Sequence, residues 1–166
     1  MHTETNITAP PQRRYAGLAL LRDEGGSVLL VERARRAGPD RFGLVGGPAR
    51  PGEWASLACQ REVREQTGLR LVPGRVLVVH YMPADGQARE GTDVVFDCGV
   101  ITRRTPLSPP PGGHVAGYRW VAPDDLRGLV APYTEWRINL ALEALDGGEV
   151  HELVGHPNVT GALPAS

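Results

Sequence analysis

Lysine is missing from the 166 residues: all 18 basic side chains are arginine. That absence excludes a P-loop lysine, a Schiff-base lysine and a lysine general base. Any phosphate gripped by this chain must be held by arginine, by backbone N–H groups or by a metal ion. Cysteine is scarce as well. Cys59 and Cys98 fit no CxxC spacing, so they read as small buried apolar residues in a reducing compartment. No apolar run approaches the roughly 20 residues that would cross a bilayer. The opening MHTETNITAPPQRR lacks the apolar core of a secretory signal. The expectation is a cytoplasmic protein with no membrane partner. A formal net charge of -1 supplies no basic field for a nucleic acid polymer.

The length suits one domain with a full core and is too short for two comfortable ones. Residues 1–13 are polar and contain Pro10-Pro11, which predicts a flexible tail. The apolar runs 15–22 and 28–32, separated by Asp23-Glu24-Gly25-Gly26, read as a β-hairpin. A polar connection at 33–41 turns at Gly38-Pro39-Asp40, and a short strand at 42–45 runs into Gly46-Gly47. Residues 54–67 contain neither Pro nor Gly, are rich in Ala, Glu, Gln and Arg, and stop at Gly68, which predicts a helix. Strands are expected at 75–82, 93–101 and 118–121, with a proline-rich loop at 106–113. Pro123-Asp124-Asp125-Leu126 starts a helical turn. Residues 133–145 read as an amphipathic helix stopped by Gly147-Gly148. Residues 149–166 show no clear period and are expected to run as a tail over the surface. Strands separated by helices on one small chain imply an α/β sandwich around a mixed sheet.

The informative stretch is Gly47-x5-Glu53-x7-Arg61-Glu62-Val63-x-Glu65-Gln66-x-Gly68-Leu69. On the predicted helix, Glu62 lies three residues before Glu65 and four before Gln66, so the three share a face. Clustered carboxylates repel one another and are costly to desolvate, which makes a hard divalent cation their natural partner. Such a cation could bridge diphosphate oxygens and acidify a bound water, and a nearby Glu could accept the proton. Gly46-Gly47 would let bare backbone approach the ligand. An isolated ExxE would more often be a solvated helix face beside Arg61 and Arg64; the full pattern reverses that preference.

The stretch resembles the Nudix box, G-x5-E-x7-R-E-U-x-E-E-x-G-U with U a bulky aliphatic residue. The later run 118–126 also looks like that family. The resemblance implies a Nudix-type α/β/α sandwich over 14–148, between tails at 1–13 and 149–166. It implies metal-dependent hydrolysis of a diphosphate linkage, with Mg²⁺ or Mn²⁺ as cofactor and a nucleoside diphosphate derivative or related small molecule as substrate. Glu62 is expected as general base or metal ligand, Glu65 as metal ligand, Gln66 as a weak neutral ligand, and the Gly46 carbonyl as a further donor. Gly47, Glu53 and Arg61 are expected to support the site, with Arg61 paired to Glu53. A homodimer is possible by analogy with the family.

Three positions depart from the usual pattern. Gln66 replaces the second Glu of the pair, which keeps an oxygen donor but removes a charge. Arg50 stands where an acidic residue is common, and Val45 where proline is common. The competing reading is therefore a repurposed Nudix fold with weak or no hydrolase activity, either a ligand-binding module or a non-hydrolytic enzyme of a specialised pathway. Acidic residues outside the box, Glu90, Asp93 and Asp97, could compensate. Arg50, Asp97 and His114 are the candidate substrate contacts. His80 is ambiguous, and Trp120 and Trp136 read as packing residues. Specificity is expected from 33–41, 82–92 and 106–117.

Overall fold

Alternation along the strands decides the layering. In β1 (Arg14–Arg22) Leu18 and Leu20 point to one face of the sheet and Ala19 and Leu21 to the other. Val28 and Leu30 against Leu29 and Val31 repeat the pattern in β2 (Val28–Arg33). Both faces of a strand so patterned must be covered. Two helices do this, α1 (Ala55–Thr67) on one side and α2 (Pro132–Gly147) on the other. The computed structural model describes residues 9–157.

Seven strands form one mixed sheet in the order β6-β2-β3-β1-β5-β4-β7. The remaining strands are β3 (Phe42–Pro48), β4 (Val76–Met82), β5 (Gly91–Val100), β6 (Val115–Val121) and β7 (His151–Val154). β1 and β5 pair in parallel at the centre, and β4 and β7 pair in parallel at one edge; the other pairings are antiparallel. The fold is thus the α/β/α sandwich that the sequence implied.

Three details differ from the expectations. The hairpin of β1 and β2 closes only at its turn, where Asp23 caps the N–H groups of Gly25 and Ser27 and Arg22 pairs with Val28. Beyond the turn the strands diverge, because β3 inserts between them and pairs with both. Within 149–166, expected to lack regular structure, His151–Val154 adds β7 to the sheet beside β4; the carbonyl of Gly155 then accepts a hydrogen bond from the buried His80 ring. Of the expected N-terminal tail, residues 1–8 lie outside the described residues, while Arg13 pairs with Glu90 at 2.8 Å. Residues 158–166 also lie outside them.

The placement of α1 depends on one glycine. A side chain at Gly17 of β1 would put its Cβ 2.0 Å from the Ala55 carbonyl oxygen and 2.7 Å from the Cys59 nitrogen. Only a bare Cα lets the first turns of α1 lie this close to the sheet. Cys59 reaches Cys98 of β5 from that position, with the two sulfurs 3.9 Å apart and both thiols free. Gly68, in the left-handed conformation at φ 76°, stops the helix, and its N–H donates to the Arg64 carbonyl.

Candidate active site

The site lies where the end of β3, the loop that follows it and one face of α1 meet. Arg61 is its organising residue. Its Nε and Nη2 donate to the two oxygens of Glu53, each at 2.8 Å. Nη1 donates to Glu62 Oε1 at 2.8 Å and to Glu65 Oε2 at 3.0 Å, and Nη2 also reaches the Pro48 carbonyl at 3.0 Å. Five N–H donors thus meet five acceptors, the full capacity of a guanidinium. Glu53 in turn accepts the Arg50 backbone N–H at 3.1 Å, which closes the loop back on itself. The Arg61 hydrogen bonds are the main reason that the Glu53 carboxyl falls to about 2. The same pairing raises Arg61 above its ordinary value. The bidentate pair is held at 11% and 10% side-chain exposure, so it is shielded where most surface pairs are not.

Glu62 and Glu65 therefore converge on one guanidinium nitrogen. They differ in their surroundings. Glu62, at 16% side-chain exposure, has both oxygens engaged, Oε1 by Arg61 and Oε2 by the Gln66 amide at 2.8 Å. Glu65 is 40% exposed, and its second oxygen meets only the Arg50 guanidinium, at 3.4 Å. Gly47 must be glycine here for a direct reason: a Cβ would fall 2.9 Å from the Glu62 carboxyl carbon. Gly46 has φ 137°, and a Cβ on it would collide with the Gly17 carbonyl oxygen at 2.3 Å.

Gln66 binds the Gly46 peptide from both sides. Its Oε1 accepts the Gly46 N–H at 3.1 Å, and its Nε2 donates to the Gly46 carbonyl at 2.8 Å. The Tyr118 hydroxyl, from β6, donates to the Gln66 main-chain carbonyl at 2.5 Å and ties the end of α1 to the β6 edge of the sheet.

Gly46, Gly47, Arg50, Glu53, Arg61, Glu62, Glu65 and Gln66 are thus brought together; Asp97 and His114 are not. Asp97 pairs across the sheet with Leu20, which lies in the core beneath α2, so its side chain is on the face opposite α1. There it meets Arg22 at 3.7 Å and caps the Gly99 N–H at 3.0 Å. His114 is exposed at the start of β6, where its carbonyl accepts the Ala34 N–H. Asp93 is also on the α2 side, bound to Arg14 and, at 2.7 Å, to the buried Arg137. Arg137 also donates to His80 Nδ1 at 3.1 Å. The Gly46–Gln66 amide pair and the Pro48 and Tyr118 contacts were not legible in the residue pattern. Backbone carbonyls and a distant hydroxyl leave no pattern at fixed spacing.

Among the described residues no group of three or more His, Cys, Asp or Glu side chains is arranged to hold a metal ion. Two carboxylates do suit a hard cation when phosphate oxygens and water complete its shell, and Glu62 with Glu65 form such a pair. Gln66, expected as a neutral ligand, is hydrogen-bonded to the Gly46 peptide in this arrangement. Its oxygen is turned to the Gly46 N–H, and its N–H groups face the Gly46 carbonyl that was the other expected donor.

Fold and site together define an enzyme of the Nudix hydrolase class. The chain belongs to the Nudix family: the family model, NUDIX domain, matches residues 11–143. Nucleoside triphosphatase NudI of Escherichia coli O1:K1 / APEC is 30% identical over 112 residues, covering 61% of this chain and 77% of that protein. A crystal structure of a UDP-X diphosphatase superposes with a TM-score of 0.68 at 19% identity, over 89% of this chain and 70% of the other. The MutT protein from Methanosarcina mazei Go1 gives 0.63 at 24% identity, over 84% and 99%. Nudix hydrolases generally use divalent metals. No helix among the described residues is long and apolar enough to cross a membrane.

Proposed function

We propose that the protein hydrolyses a diphosphate linkage in a nucleoside diphosphate or triphosphate derivative, with Mg²⁺ or Mn²⁺ held by Glu62 and Glu65. The observation that carries this reading is the convergence of those two carboxylates on Arg61 Nη1 beside the bare backbone of Gly47. The nucleotide class rests on the relatives named as a nucleoside triphosphatase and a UDP-X diphosphatase. When bound, the cation would neutralise diphosphate oxygens and acidify a water molecule.

The chain's own residues divide the remaining work. Arg61 and Glu53 hold the loop and helix in register and fix the direction of Glu62 and Glu65. Glu62 accepts one hydrogen bond on each oxygen, which orients it and leaves a lone pair of Oε1 for the cation. Glu65 is more open to solvent, and its long bond to Arg50 is readily exchanged. It therefore takes the proton from the attacking water, a role the sequence had placed first on Glu62. Arg50, 64% exposed at the lip of the site, is free to swing from Glu65 to a substrate phosphate, where its guanidinium can bind two oxygens at once. Asp97 and His114 take no part in this arrangement.

The test is a panel of nucleoside diphosphate and triphosphate derivatives, assayed for release of phosphate or nucleoside monophosphate with Mg²⁺ and with EDTA. Cation-dependent release from at least one compound is expected. A protein that binds members of the panel without cleaving any would favour the repurposed, ligand-binding reading.

A further inference from the structure

In the described residues the innermost acceptors of the site are already hydrogen-bonded by the protein itself. The Gly46 carbonyl and Glu62 Oε2 face a common point, and Gln66 Nε2 lies at that point, 2.8 Å from each. An amide nitrogen carries two hydrogens, and here each has an acceptor. The amide cannot turn over to present its oxygen instead. Oε1 receives the Gly46 N–H at 3.1 Å, and a flip would set N–H against N–H while turning Oε1 onto two other acceptors. The Gly46 peptide itself is fixed by its φ of 137° and by the Gly17 backbone packed against its Cα. The arrangement is locked from both sides.

We infer that the Gln66 carboxamide stands in for a cation at the cradle formed by the Gly46 carbonyl and Glu62 Oε2, so that this cradle binds no metal. Gln66 is a positioning residue. It holds Glu62 and the Gly46 backbone in the geometry that a bridging cation would otherwise impose, and confines metal to the outer pair, Glu62 Oε1 and Glu65. This deepens the proposed hydrolase reading and rests on it for the outer site alone.

A carboxylate at position 66 would have the opposite effect. It would bring a third acceptor to a point with no hydrogen to share, which is unfavourable without a cation and strongly favourable with one. The experiment counts bound Mn²⁺ by electron paramagnetic resonance titration and records the melting temperature in EDTA and in Mg²⁺, for wild type and Gln66→Glu. Wild type should bind at most one Mn²⁺, and its melting temperature should rise less from EDTA to Mg²⁺ than that of Gln66→Glu. Gln66→Glu should bind one more Mn²⁺, with an affinity about 10-fold or more above any site in wild type. It should melt lower than wild type in EDTA and recover in Mg²⁺.

Gln66→Met covers the case in which the charged variant does not fold. It removes both N–H donors at nearly constant volume without adding charge, and its melting temperature should rise more from EDTA to Mg²⁺ than that of wild type. Two Mn²⁺ bound tightly to wild type would overturn the inference. So would variants whose metal count and EDTA melting temperature match wild type. Failure of the hydrolase reading is recognised separately. A wild type that binds one Mn²⁺ or none and cleaves no substrate removes that reading and leaves the filled cradle intact, whereas cleavage with two bound Mn²⁺ does the reverse.

Discussion

Protonating His80 should destabilise the fold, and the structure sets the size of the effect. The ring is wholly buried. Its Nδ1 accepts from Arg137 at 3.1 Å, and its Nε2 lies 2.7 Å from the Gly155 carbonyl, so the neutral tautomer with hydrogen on Nε2 satisfies both contacts. A second proton would have to enter at Nδ1, against the guanidinium of Arg137. Burial first, and Arg137 second, push the imidazole down to about 4; the Gly155 hydrogen bond and Asp93 oppose them, and His156 adds to them. In the unfolded chain the same group titrates at about 6.5. Between those values the unfolded chain binds the proton and the native protein does not, so stability is lost as pH falls from about 6.5 towards 4. Linkage with these two values gives a loss of about 2 kcal/mol between pH 7.5 and pH 5, and about 3 kcal/mol once both states are protonated. That is a sizeable part of the 5–15 kcal/mol typical of a domain. His80→Gln provides the control: its amide can donate to Gly155 and accept from Arg137 but does not titrate. Urea unfolding of both proteins at the two pH values isolates the contribution of His80 from that of the carboxylates. Wild type should lose about 2 kcal/mol more than the variant. Parallel pH dependence in the two proteins would refute the assignment of the neutral ring, as would a ring signal titrating near 6.5 by NMR.

Glu65→Gln should lower kcat by about 10²-fold or more, as expected for loss of a proton acceptor, while leaving the circular dichroism spectrum unchanged. If Glu62→Gln proves the more damaging in kcat, the proton-accepting role returns to Glu62. Arg61→Lys offers three donors where five are used, so kcat/KM should fall on the order of 10²-fold through misplacement of Glu62 and Glu65; activity within a few-fold of wild type would show that Arg61 does not set their geometry. Gly17→Ala should destabilise by about 1–3 kcal/mol or more by thrusting a methyl into the first turn of α1, seen as a lower urea midpoint at unchanged slope. A neutral result there would mean that α1 does not seat on β1 as described.

Much of the fold was legible because it depended on local chemistry. Gly68 and Gly147-Gly148 marked the ends of both helices, and the doubly apolar strands marked a sheet covered on two faces. The insertion of β3 between β1 and β2 was not legible, because Asp23 and Gly25-Gly26 encode a turn and say nothing of where its arms go. β7 was missed because four residues with one buried side chain, Leu153, carry no readable period. Within the site, helical spacing grouped Glu62 with Glu65, the family resemblance pointed to Glu53 and Arg61, and the four side chains lie together. Spacing could not show that the Gln66 oxygen would turn away from its neighbouring carboxylate, since that depends on the Gly46 peptide twenty residues earlier. Asp97 shares the face of Asp93 and Val95, as strand alternation requires, but alternation alone does not say which helix covers that face.

The parallel pairing of β4 with β7 also bears on the order in which the chain can fold. β4 precedes its edge partner by about half the length of the described chain, with Val78 set beside His151, so the pairing waits until the C-terminal segment has closed a long loop. Until then His80 has no Gly155 carbonyl to receive its N–H, and the buried polar group beneath α2 is only half satisfied. The central pairing of β1 with β5, Ala16 beside Asp93, closes a loop of similar length, but it and the α1 half of the core need nothing from the C-terminal segment. The active-site half can therefore consolidate first and the α2 half last. Pulse-labelled hydrogen exchange should show the amides of α1 and β3 gaining protection before those of β4 and β7.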